Sequence, residues 1–438
     1  MRPTFCHGNK FHWSNELHMS SLRVFRSDLI TGFILLVLAA SALSQEPVEL
    51  KDRQAPPPND RLHETLIDQV RVTTAVPSAA ETQQIFGAKL YRRNIQPVWI
   101  RVENLTDQTL WFLPIGLDEA YFTPIETSYR HQNRIPILNL ETNQDIYEKS
   151  MRLRLPAGAV RSGYVFSRVD EGTKSFNIDV LGDEGRHYMM TFFVPVPGLR
   201  IDHYNIDWAN LYGEDEIREV DRDGLIAGLE ALPCCVTDEA GENNGDPLNI
   251  ALVGHPKDLY YALIRAGWDE TEIIYRASLF KTVASSLMGR EYRYSPISAL
   301  YVFGRAQDAA FQKARDNINQ RNHLRLWMTP MRYEGKPVWI GQISRDIGVR
   351  LTWKTITTHK IDPDVDETRE YLLEDLAYAQ SVYKFGYVEG VGTALYDQPR
   401  GNLTGDPYFT DGLRIVLFVS ADPVDISEIK IIELGARP

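Results

Sequence analysis

"HLRLWMTPMRYEGKPVWIGQIS", residues 323–344, predicts a β-hairpin. Successive side chains of a strand alternate between two faces, so Leu324 points to one side, while His323, Arg325 and Trp327 point to the other. Imidazole, guanidinium and indole groups on one face suit an anionic or sugar-like ligand, although exposed antiparallel faces often have this composition without a ligand. We therefore predict a ligand-binding face at His323, Arg325 and Trp327.

Helices and strands alternate around this hairpin, from residue 248 to the C-terminus. The strands are predicted at 248–254, 298–304, 413–420 and 428–435. The helices are predicted at 255–268, about 271–289, 305–317 and about 365–381. In the first of these helices Pro256 suits the opening turn and Gly267 the end. The pattern predicts a C-terminal α+β domain over residues 248–438.

The helix predicted at 305–317 places Arg305 on one face with Asp308 and Gln312. Arg305 is a further candidate for ligand binding, because a guanidinium group binds anions well. An internal salt bridge between Arg305 and Asp308 is the more common role for such a pair. We therefore expect this salt bridge and keep Arg305 as a candidate ligand residue.

Residues 61–200 have a different pattern, with short alternating strands between Gly, Asp and Pro turns. This pattern predicts two antiparallel sheets packed as a β-sandwich. Two of the strands, at 96–104 and 108–115, are separated by the short turn sequence "NLTD" and are predicted to pair as a hairpin. Such domains commonly serve as binding or spacing modules.

A short helix is predicted inside this region, between a capping box at Ser78 and Glu81 and a stop at Gly87. Residues 201–247 are predicted to form a helical connector and a polar linker. The predicted fold class is therefore α+β overall, with an N-terminal antiparallel β-sandwich followed by the C-terminal α+β domain.

The N-terminal region has the pattern of an export signal. Arg23 and Arg26 precede "LITGFILLVLAASAL", an apolar run of roughly 15 residues, which is short for a membrane span of about 20. We predict a signal peptide over residues 1–45, with Met19 as an alternative start, and a Pro-rich linker over 46–60. The expected location is the periplasm or another exported site; the alternative is membrane anchoring by an uncleaved signal.

The 438-residue chain has an ordinary globular composition, with 43% hydrophobic and 24% charged residues. Its formal net charge of -12 repels phosphate backbones, so nucleic acid is not an expected partner. Three cysteines are too few for a disulfide framework. Cys234 and Cys235 can in principle form a ring or bind a soft metal, but we expect two unbonded small residues after the end of a helix.

Five stretches share their order and spacing with one known family: 252–268, 298–313, 323–330, 335–346 and 358–370, the last being "THKIDPDVDETRE". Through them the C-terminal part, about 248–420, resembles the LssY C-terminal-like domain family. The family usually carries Ala where Thr368 stands and Asp where Glu370 stands. The resemblance implies no established activity. Some members look fused to membrane domains of the acid-phosphatase or DedA kind, which implies lipid chemistry of the cell envelope.

The acidic segment "HKIDPDVDETRE", residues 359–370, has two interpretations. In the first it begins a helix, with Asp364 as N-cap, Glu367 completing a capping box, and Arg369 paired with a carboxylate one turn away. A calcium-binding EF-hand loop is excluded, because the glycine and the final glutamate that such a loop needs are absent. We favour the helix start.

In the second interpretation the segment binds a divalent metal through His359, Asp362 and Asp366. His323 or Asp346 from the hairpin would then be further ligands. Carboxylate and imidazole ligands suit Mn, Fe or Zn. No other cofactor is expected.

These features favour an exported cell-envelope protein that acts as a non-enzymatic binding or accessory module. Its ligand would be anionic, lipid-linked or sugar-like, or its partner another protein, at a site among Arg305, His323, Arg325, Trp327 and residues 359–370. Membrane proximity would follow from an uncleaved signal. The sequence contains none of the familiar hydrolase, phosphate-loop or dinucleotide-binding signatures.

A metal-dependent hydrolase of phosphoester or lipid-linked substrates is the alternative, and a purely structural envelope protein is a third interpretation. The hydrolase would use His359, Asp362 and Asp366 as metal ligands and Asp346 as a base. Whether the chain is an enzyme is left open by the sequence.

Overall fold

A computed structural model describes residues 55–132, 139–198, 206–208, 210–271, 297–314, 321–350 and 358–438. These residues belong to one compact unit. The predicted signal peptide and nearly all of the helix predicted at 271–289 lie outside the described residues. Within the described part of the chain, no helix combines the length and the apolar content needed to cross a membrane.

Two four-stranded antiparallel sheets make up most of the N-terminal half, in the orders β1-β2-β3-β6 and β5-β4-β7-β8. The strands are β1 (His63–Ile67), β2 (Val70–Ala75), β3 (Gln96–Asn104), β4 (Leu110–Leu113), β5 (Arg154–Leu155), β6 (Val160–Ser167), β7 (Gly172–Leu181) and β8 (His187–Val196). The helices described in this half are α1 (Ala79–Phe86), α2 (Pro124–His131) and α3 (Leu140–Glu148). Buried side chains of both sheets, Val98 and Phe176 among them, contribute to one core.

The hairpin predicted between 96–104 and 108–115 is wrong, because β3 pairs with β2 and β6 while β4 pairs with β5 and β7. Asn104 explains why the chain crosses from one sheet to the other between β3 and β4. Its buried amide nitrogen donates to the carbonyl oxygens of Gln108, Leu155 and Pro156, so it holds the turn against the second sheet. The turn therefore sends the chain from one sheet to the other instead of back along the first.

The capping box of α1 is confirmed. Glu81 N donates to Ser78 Oγ, Ser78 N donates to Glu81 Oε2, and Gly87 ends the helix with φ at 65°. One of the short alternating strands predicted within residues 61–200 is also confirmed, since β7 alternates buried and partly exposed residues along its length. Local sequence patterns were thus sufficient for these two elements.

A ten-stranded sheet organises the C-terminal half. Its order is β13-β16-β17-β18-β12-β23-β20-β24, with β19 paired to β18 and β9 to β17. Its strands are β9 (Arg218–Val220), β12 (Ile250–Val253), β13 (Asp269–Glu270), β16 (Ala309–Ala314), β17 (Arg321–Tyr333), β18 (Lys336–Arg350), β19 (Thr358–Ile361), β20 (Val382–Val388), β23 (Arg414–Val419) and β24 (Lys430–Ile431).

Among the described residues, smaller sheets and three helices complete this half. The remaining strands are β10 (Cys235–Thr237), β11 (Asn244–Pro247), β14 (Tyr301–Val302), β15 (Arg305–Ala306), β21 (Arg400–Gly401) and β22 (Pro407–Tyr408). The helices are α4 (Arg222–Glu230), α5 (Pro256–Arg265) and α6 (Val365–Tyr378). Residues 201–247, predicted as a helical connector and a polar linker, therefore contain α4 and the antiparallel pair of β10 and β11.

The hairpin predicted at 323–344 is confirmed. Its two strands are β17 and β18, which are longer than predicted. The helices predicted at 255–268 and 365–381 are confirmed as α5 and α6. The helix predicted at 305–317 is wrong, because residues 309–314 form β16 and pair with β17. Its Ala, Gln and Lys favour a helix locally, but hydrogen bonding to the long strand β17 overrides that propensity.

One face of the hairpin packs against α5 and α6. Leu324 and Leu326 of β17 lie in the same core as Leu263 of α5 and Leu372 of α6. Trp339 of β18 is fully buried there, and its indole nitrogen donates to Gly254 O at 3.0 Å. The helices therefore cover this face, which leaves the opposite face for the polar side chains of β17 and β18.

The α+β class is confirmed by these mixed helices and antiparallel sheets. The N-terminal sheets also touch the C-terminal half, since Thr173 N donates to Glu270 Oε2 at 2.8 Å and Phe193 stacks on Tyr261. The division into a sandwich domain at 61–200 and a separate domain at 248–438 stays a prediction.

Candidate functional site

The second face of the hairpin carries a cluster of polar side chains, which we call the polar cluster: Asp246, His323, Arg325, Gln342, Asp346 and Asn402. The hairpin register explains how the strand residues meet, because Arg325 lies directly opposite Gln342 and His323 opposite Ser344. The side chains of Arg325, Gln342 and Asp346 are almost completely buried, and that of His323 is mostly buried. Such burial is unusual for charged groups. The polar cluster therefore needs an explanation beyond an ordinary solvated face.

His323 and Asp346 form a close pair in the polar cluster. His323 Nε2 lies 2.7 Å from Asp346 Oδ2, and the two side chains are 13% and 3% exposed. A carboxylate in this position orients an imidazole ring and stabilises its protonated form. Asp346 therefore orients the imidazole of His323 within the polar cluster.

Arg325 lies beside this pair and is 8% exposed. Its Nη1 donates to Gln342 Oε1 at 2.9 Å, while Nε and Nη2 share the carbonyl oxygen of Ser298. Burial lowers the pKa of Arg325 to about 10, against the opposing influence of the Asp246 and Asp346 charges. Within the described part of the chain, no carboxylate forms an ion pair with this guanidinium, so it is a buried cation held mainly by neutral acceptors.

Asp246 of β11 faces this cation from a neighbouring element. Its Oδ1 accepts a hydrogen bond from Asn402 Nδ2 at 3.0 Å. Although the side chain keeps some exposed surface, its dense surroundings raise the pKa of Asp246, and the charges of Asp346 and Asp406 act in the same direction. The Arg325 charge opposes this rise but does not cancel it.

Only the oxygen of the Gln342 side-chain amide has a hydrogen-bond partner among the described residues. Its Oε1 accepts from Arg325, which fixes the orientation of the amide. Its Nε2 is buried and has no hydrogen-bond partner among the residues that the structure describes. A buried donor without an acceptor costs free energy, so such a group requires an explanation.

Trp327 does not take part in the polar cluster. It is fully buried in a core with Val236, Leu248 and Ile340, and its indole nitrogen donates to Arg305 O. The alternation of faces was predicted correctly, but the expectation that Trp327 offers an accessible surface is wrong. The apolar residues of β10 and β14 cover the strand at this point, and the sequence pattern does not reveal that cover.

Arg305 lies apart from the polar cluster. The predicted salt bridge is confirmed, with Arg305 Nε 2.9 Å from Asp308 Oδ1, although Arg305 lies in β15 and Asp308 in the connection to β16 instead of on two turns of a helix. Arg305 Nη2 also donates to Met328 O and to the hydroxyl of Tyr212. A cavity of about 20 Å³ lies nearby, lined by Trp208, Tyr212 and Met328 among others, and it has room for about one water molecule.

The acidic segment begins a helix, as favoured, but the predicted capping box is wrong, because Asp364 N donates to Asp362 and not to the Glu367 side chain. Asp364 is the N-cap of α6, and its Oδ1 accepts from the backbone nitrogens of Asp366 and Glu367. Asp362 Oδ1 accepts from Asp364 N, so it closes the turn before the helix. The carboxylates of Asp362 and Asp364 therefore have clear structural roles.

Asp366 is bound to a neighbouring loop. Its two oxygens accept from Thr410 Oγ1 at 2.7 Å and from Asp411 N at 2.6 Å. Arg369, with a side chain only 1% exposed, forms ion pairs with Asp366, Glu370 and Asp411, which confirms its predicted pairing one turn away. This network ties α6 to the loop before β23.

The metal interpretation gains nothing from the described part of the chain. No group of three His, Cys, Asp or Glu side chains there is placed to hold a metal ion. The side chain of His359, the first predicted ligand, lies outside the described residues. His323 and Asp346, the further ligands considered, pair with each other in the polar cluster.

Cys234 and Cys235 are joined by a disulfide, so the expectation of two unbonded residues is wrong. Cys235 Sγ lies 3.8 Å from the hydroxyl of Tyr408, and both residues are buried. Two adjacent cysteines are poor predictors of a bond, because only the local backbone conformation decides whether they meet.

Sequence reasoning found His323, Arg325 and Asp346 but missed Asp246, Gln342 and Asn402. Gln342 lies in the predicted hairpin, so a correct register would have placed it opposite Arg325. Asp246 lies in the segment predicted as a linker, and Asn402 lies in a segment for which no helix or strand was predicted. They join the site through tertiary contacts that have no local signal.

The family resemblance is confirmed by comparison with known families. Residues 229–413 match the model of the family described as LssY C-terminus. The match begins at the end of α4 and contains every member of the polar cluster. No curated protein matches the chain.

Proposed function

We propose that this chain is a non-enzymatic binding module of the cell envelope, whose polar cluster binds a polyhydroxylated, sugar-like ligand. The observation that carries the proposal is the pair of Arg325 and Gln342. Together they keep buried donors that their described partners do not use. The other features of the cluster narrow the ligand class.

Arg325 has more N–H groups than its described hydrogen bonds use. A guanidinium has five N–H groups, and the three bonds of Arg325 to Gln342 and Ser298 leave two of them unused within the described part of the chain. Gln342 Nε2 adds a further donor. Ser298 is exposed, so this side of the cluster lies close to the surface. Ligand oxygen atoms would satisfy these donors.

The polar cluster combines positive and negative charges. Asp246 and Asp346 act on the same Arg325 cation, so the cluster is not a concentrated positive site. An anion would meet two carboxyl groups, whereas a neutral polyol offers hydroxyls that donate to carboxylates and accept from Arg325 and Gln342. Among the anionic, lipid-linked and sugar-like ligands considered from sequence, the mixed charges favour the sugar-like one.

The disulfide between Cys234 and Cys235 bears on the cellular compartment of the protein. A disulfide persists in oxidising compartments and is rare in the reducing cytosol. The Cys234–Cys235 bond therefore supports export to the periplasm or an equivalent compartment. It fits the signal peptide predicted at residues 1–45. The predicted sandwich at 61–200 would then act as a spacer or second binding module.

Thermal unfolding with a ligand panel tests the proposal. The panel contains glucose, galactose, N-acetylglucosamine and inorganic phosphate, and a ligand that binds only the folded chain raises Tm in a saturable way. We expect at least one sugar to raise Tm, with loss of the effect in Arg325→Gln and retention in Arg332→Gln. Arg332 is an exposed arginine of the same strand, so it is a matched control.

The other outcomes are equally informative. A Tm increase with phosphate alone that requires Arg325 would replace the sugar-like ligand with an anion. No shift with any member of the panel, or equal shifts in both variants, would contradict the polar cluster as a ligand site and favour a structural role.

A metal-dependent hydrolase is the second candidate function, favoured by one observation. The close pair of His323 and Asp346 has the arrangement of a general base and its orienting carboxylate. Elemental analysis of the wild type and a His359→Ala, Asp362→Ala double variant tests it, together with p-nitrophenyl phosphate hydrolysis. Stoichiometric metal and activity in the wild type alone would favour the hydrolase.

A further inference from the structure

The disulfide between Cys234 and Cys235 is a poor structural cross-link. A disulfide stabilises a protein mainly by closing long loops of the unfolded chain, and a bond between neighbours closes only one peptide unit. The pair therefore contributes much less to stability than a bond between distant residues. Its role is better judged from the groups that surround it.

The backbone on both sides of the pair is anchored. Arg414 donates to the carbonyl oxygens of Leu232 and Pro233, immediately before the pair. Leu248 N donates to Cys234 O at 2.8 Å. The two sulfur atoms are thus presented by a fixed segment at the start of β10.

The two sulfur atoms differ in their surroundings. Cys235 is only 4% exposed, whereas Cys234 keeps a larger exposed surface. Cys235 Sγ lies 3.8 Å from the hydroxyl of Tyr408, and burial raises the pKa of Tyr408, so this phenol stays protonated at neutral pH. A thiolate on Cys235 would therefore have a hydrogen-bond donor beside it.

We propose that Cys234 and Cys235 form a redox-active pair that exchanges with an external dithiol. A thiolate of the dithiol attacks Cys234 Sγ, a new S–S bond forms there, and the Cys234–Cys235 bond breaks. The electron pair leaves on Cys235 Sγ, next to the Tyr408 hydroxyl. The more exposed sulfur is thus attacked, and the buried sulfur is the stabilised leaving group.

A second exchange completes the reaction. The second thiolate of the dithiol attacks the first dithiol sulfur, which is bonded to Cys234 in the mixed disulfide. Cys234 then leaves as a thiolate. Both cysteines take up protons, and the dithiol becomes a disulfide, so two electrons and two protons are transferred. The external dithiol is either a small molecule or the reduced cysteine pair of another protein.

Opening the ring has a consequence for the fold. Cys235 begins β10, and the next residue, Val236, packs against Trp327 in the core beside the polar cluster. Reduction removes the constraint on the Cys234–Cys235 peptide unit at this point. The indole of Trp327 is therefore a reporter of the redox state.

Thiol counting on the full chain tests the proposal. Protein purified without reductant is treated with dithiothreitol at neutral pH, alkylated with a maleimide and analysed by peptide mass spectrometry. We expect Cys234 and Cys235 to be unlabelled before reduction and both labelled after it, with the change reversed by oxidised dithiothreitol and with altered tryptophan fluorescence. Cys234→Ser, Cys235→Ser protein should lack the fluorescence change.

Tyr408→Phe tests the leaving group. Loss of one hydrogen bond to the departing thiolate should slow reduction roughly fivefold. An unchanged rate would overturn the role of Tyr408. Labelling of both cysteines without reductant, or reduction only after denaturation, would overturn the redox-active pair itself.

Discussion

Arg325 Nη1 lies 2.9 Å from Gln342 Oε1 across the β17–β18 ladder, and the amide nitrogen of the same glutamine has no partner among the described residues. The hydrogen bond fixes the position of the Arg325 guanidinium relative to the Gln342 amide. Removing water from a guanidinium is costly unless its N–H groups find acceptors, and two N–H groups of Arg325 have none within the described part of the chain. A ligand that accepts from both residues would supply these acceptors.

Asp246→Asn should change how stability depends on pH. The folded state raises the pKa of Asp246 above the ordinary value of 3.8, so it binds this proton more tightly than the unfolded state does. Stability from this group is therefore present at low pH and falls as pH rises from about 3.8 through the raised pKa. The asparagine variant removes this fall and keeps an acceptor for Asn402.

Denaturant unfolding between pH 4 and pH 8 measures this effect. The difference in unfolding free energy between the variant and the wild type should increase with pH. Asp397→Asn, at an exposed position, is the control and should follow the wild type. A pH profile of Asp246→Asn that is parallel to the wild type would refute the raised pKa.

Arg414→Met should destabilise the fold strongly. Arg414 is fully buried and donates only to backbone carbonyls, those of Leu229, Leu232, Pro233, Leu248 and Gly390. Methionine fills similar space but leaves these acceptors without a donor, which costs about 3–5 kcal/mol. Urea denaturation measures the loss, and Arg332→Met is the exposed control. A loss below about 1 kcal/mol would contradict this anchoring role.

Thr368→Ala should leave stability unchanged or slightly higher. The Thr368 hydroxyl is buried and has no hydrogen-bond partner in the described part of the chain. Removing an unsatisfied polar group loses no interaction, so a change within about 0.5 kcal/mol or a gain is expected. Thr410→Ala, which loses the 2.7 Å bond to Asp366, should cost about 1–3 kcal/mol. Equal losses in the two variants would show that Thr368 has a partner.

Asp364→Ala should cost about 1 kcal/mol, because the first turn of α6 loses the acceptor for Asp366 N and Glu367 N. Asp364→Ser keeps a good N-cap and should retain most of that stability. Thermal unfolding of both variants distinguishes a cap from another role. If serine is as damaging as alanine, the carboxylate has a function that the cap does not explain.

Local patterns predicted the parts of the fold that depend on local interactions. The hairpin at 323–344, α5 with Pro256 in its first turn, and the Asp364 cap all follow from nearby residues. The segment 309–314 has helical composition yet forms a strand, because all six of its residues pair with the long strand β17. Pairing between distant segments is not encoded in composition.

The register of the site residues could not be predicted from the turn. Tyr333 pairs with Lys336 and Arg332 with Pro337, but Met328 pairs with Trp339, so residues 329–331 form a bulge opposite Val338. Pro330 lies inside this bulge, where its missing N–H breaks no ladder bond. The bulge shifts the pairing beyond it, and only this shift sets Gln342 opposite Arg325.

Saturation-transfer NMR is the most direct test of the polar cluster as a sugar-binding site. Glucose, galactose and N-acetylglucosamine are each mixed with wild type, Arg325→Gln and Arg332→Gln protein, and transfer to the sugar protons is measured. The account predicts transfer to at least one sugar with wild type and Arg332→Gln, and its loss with Arg325→Gln. Absence of transfer with wild type, or equal transfer with all three proteins, would contradict it.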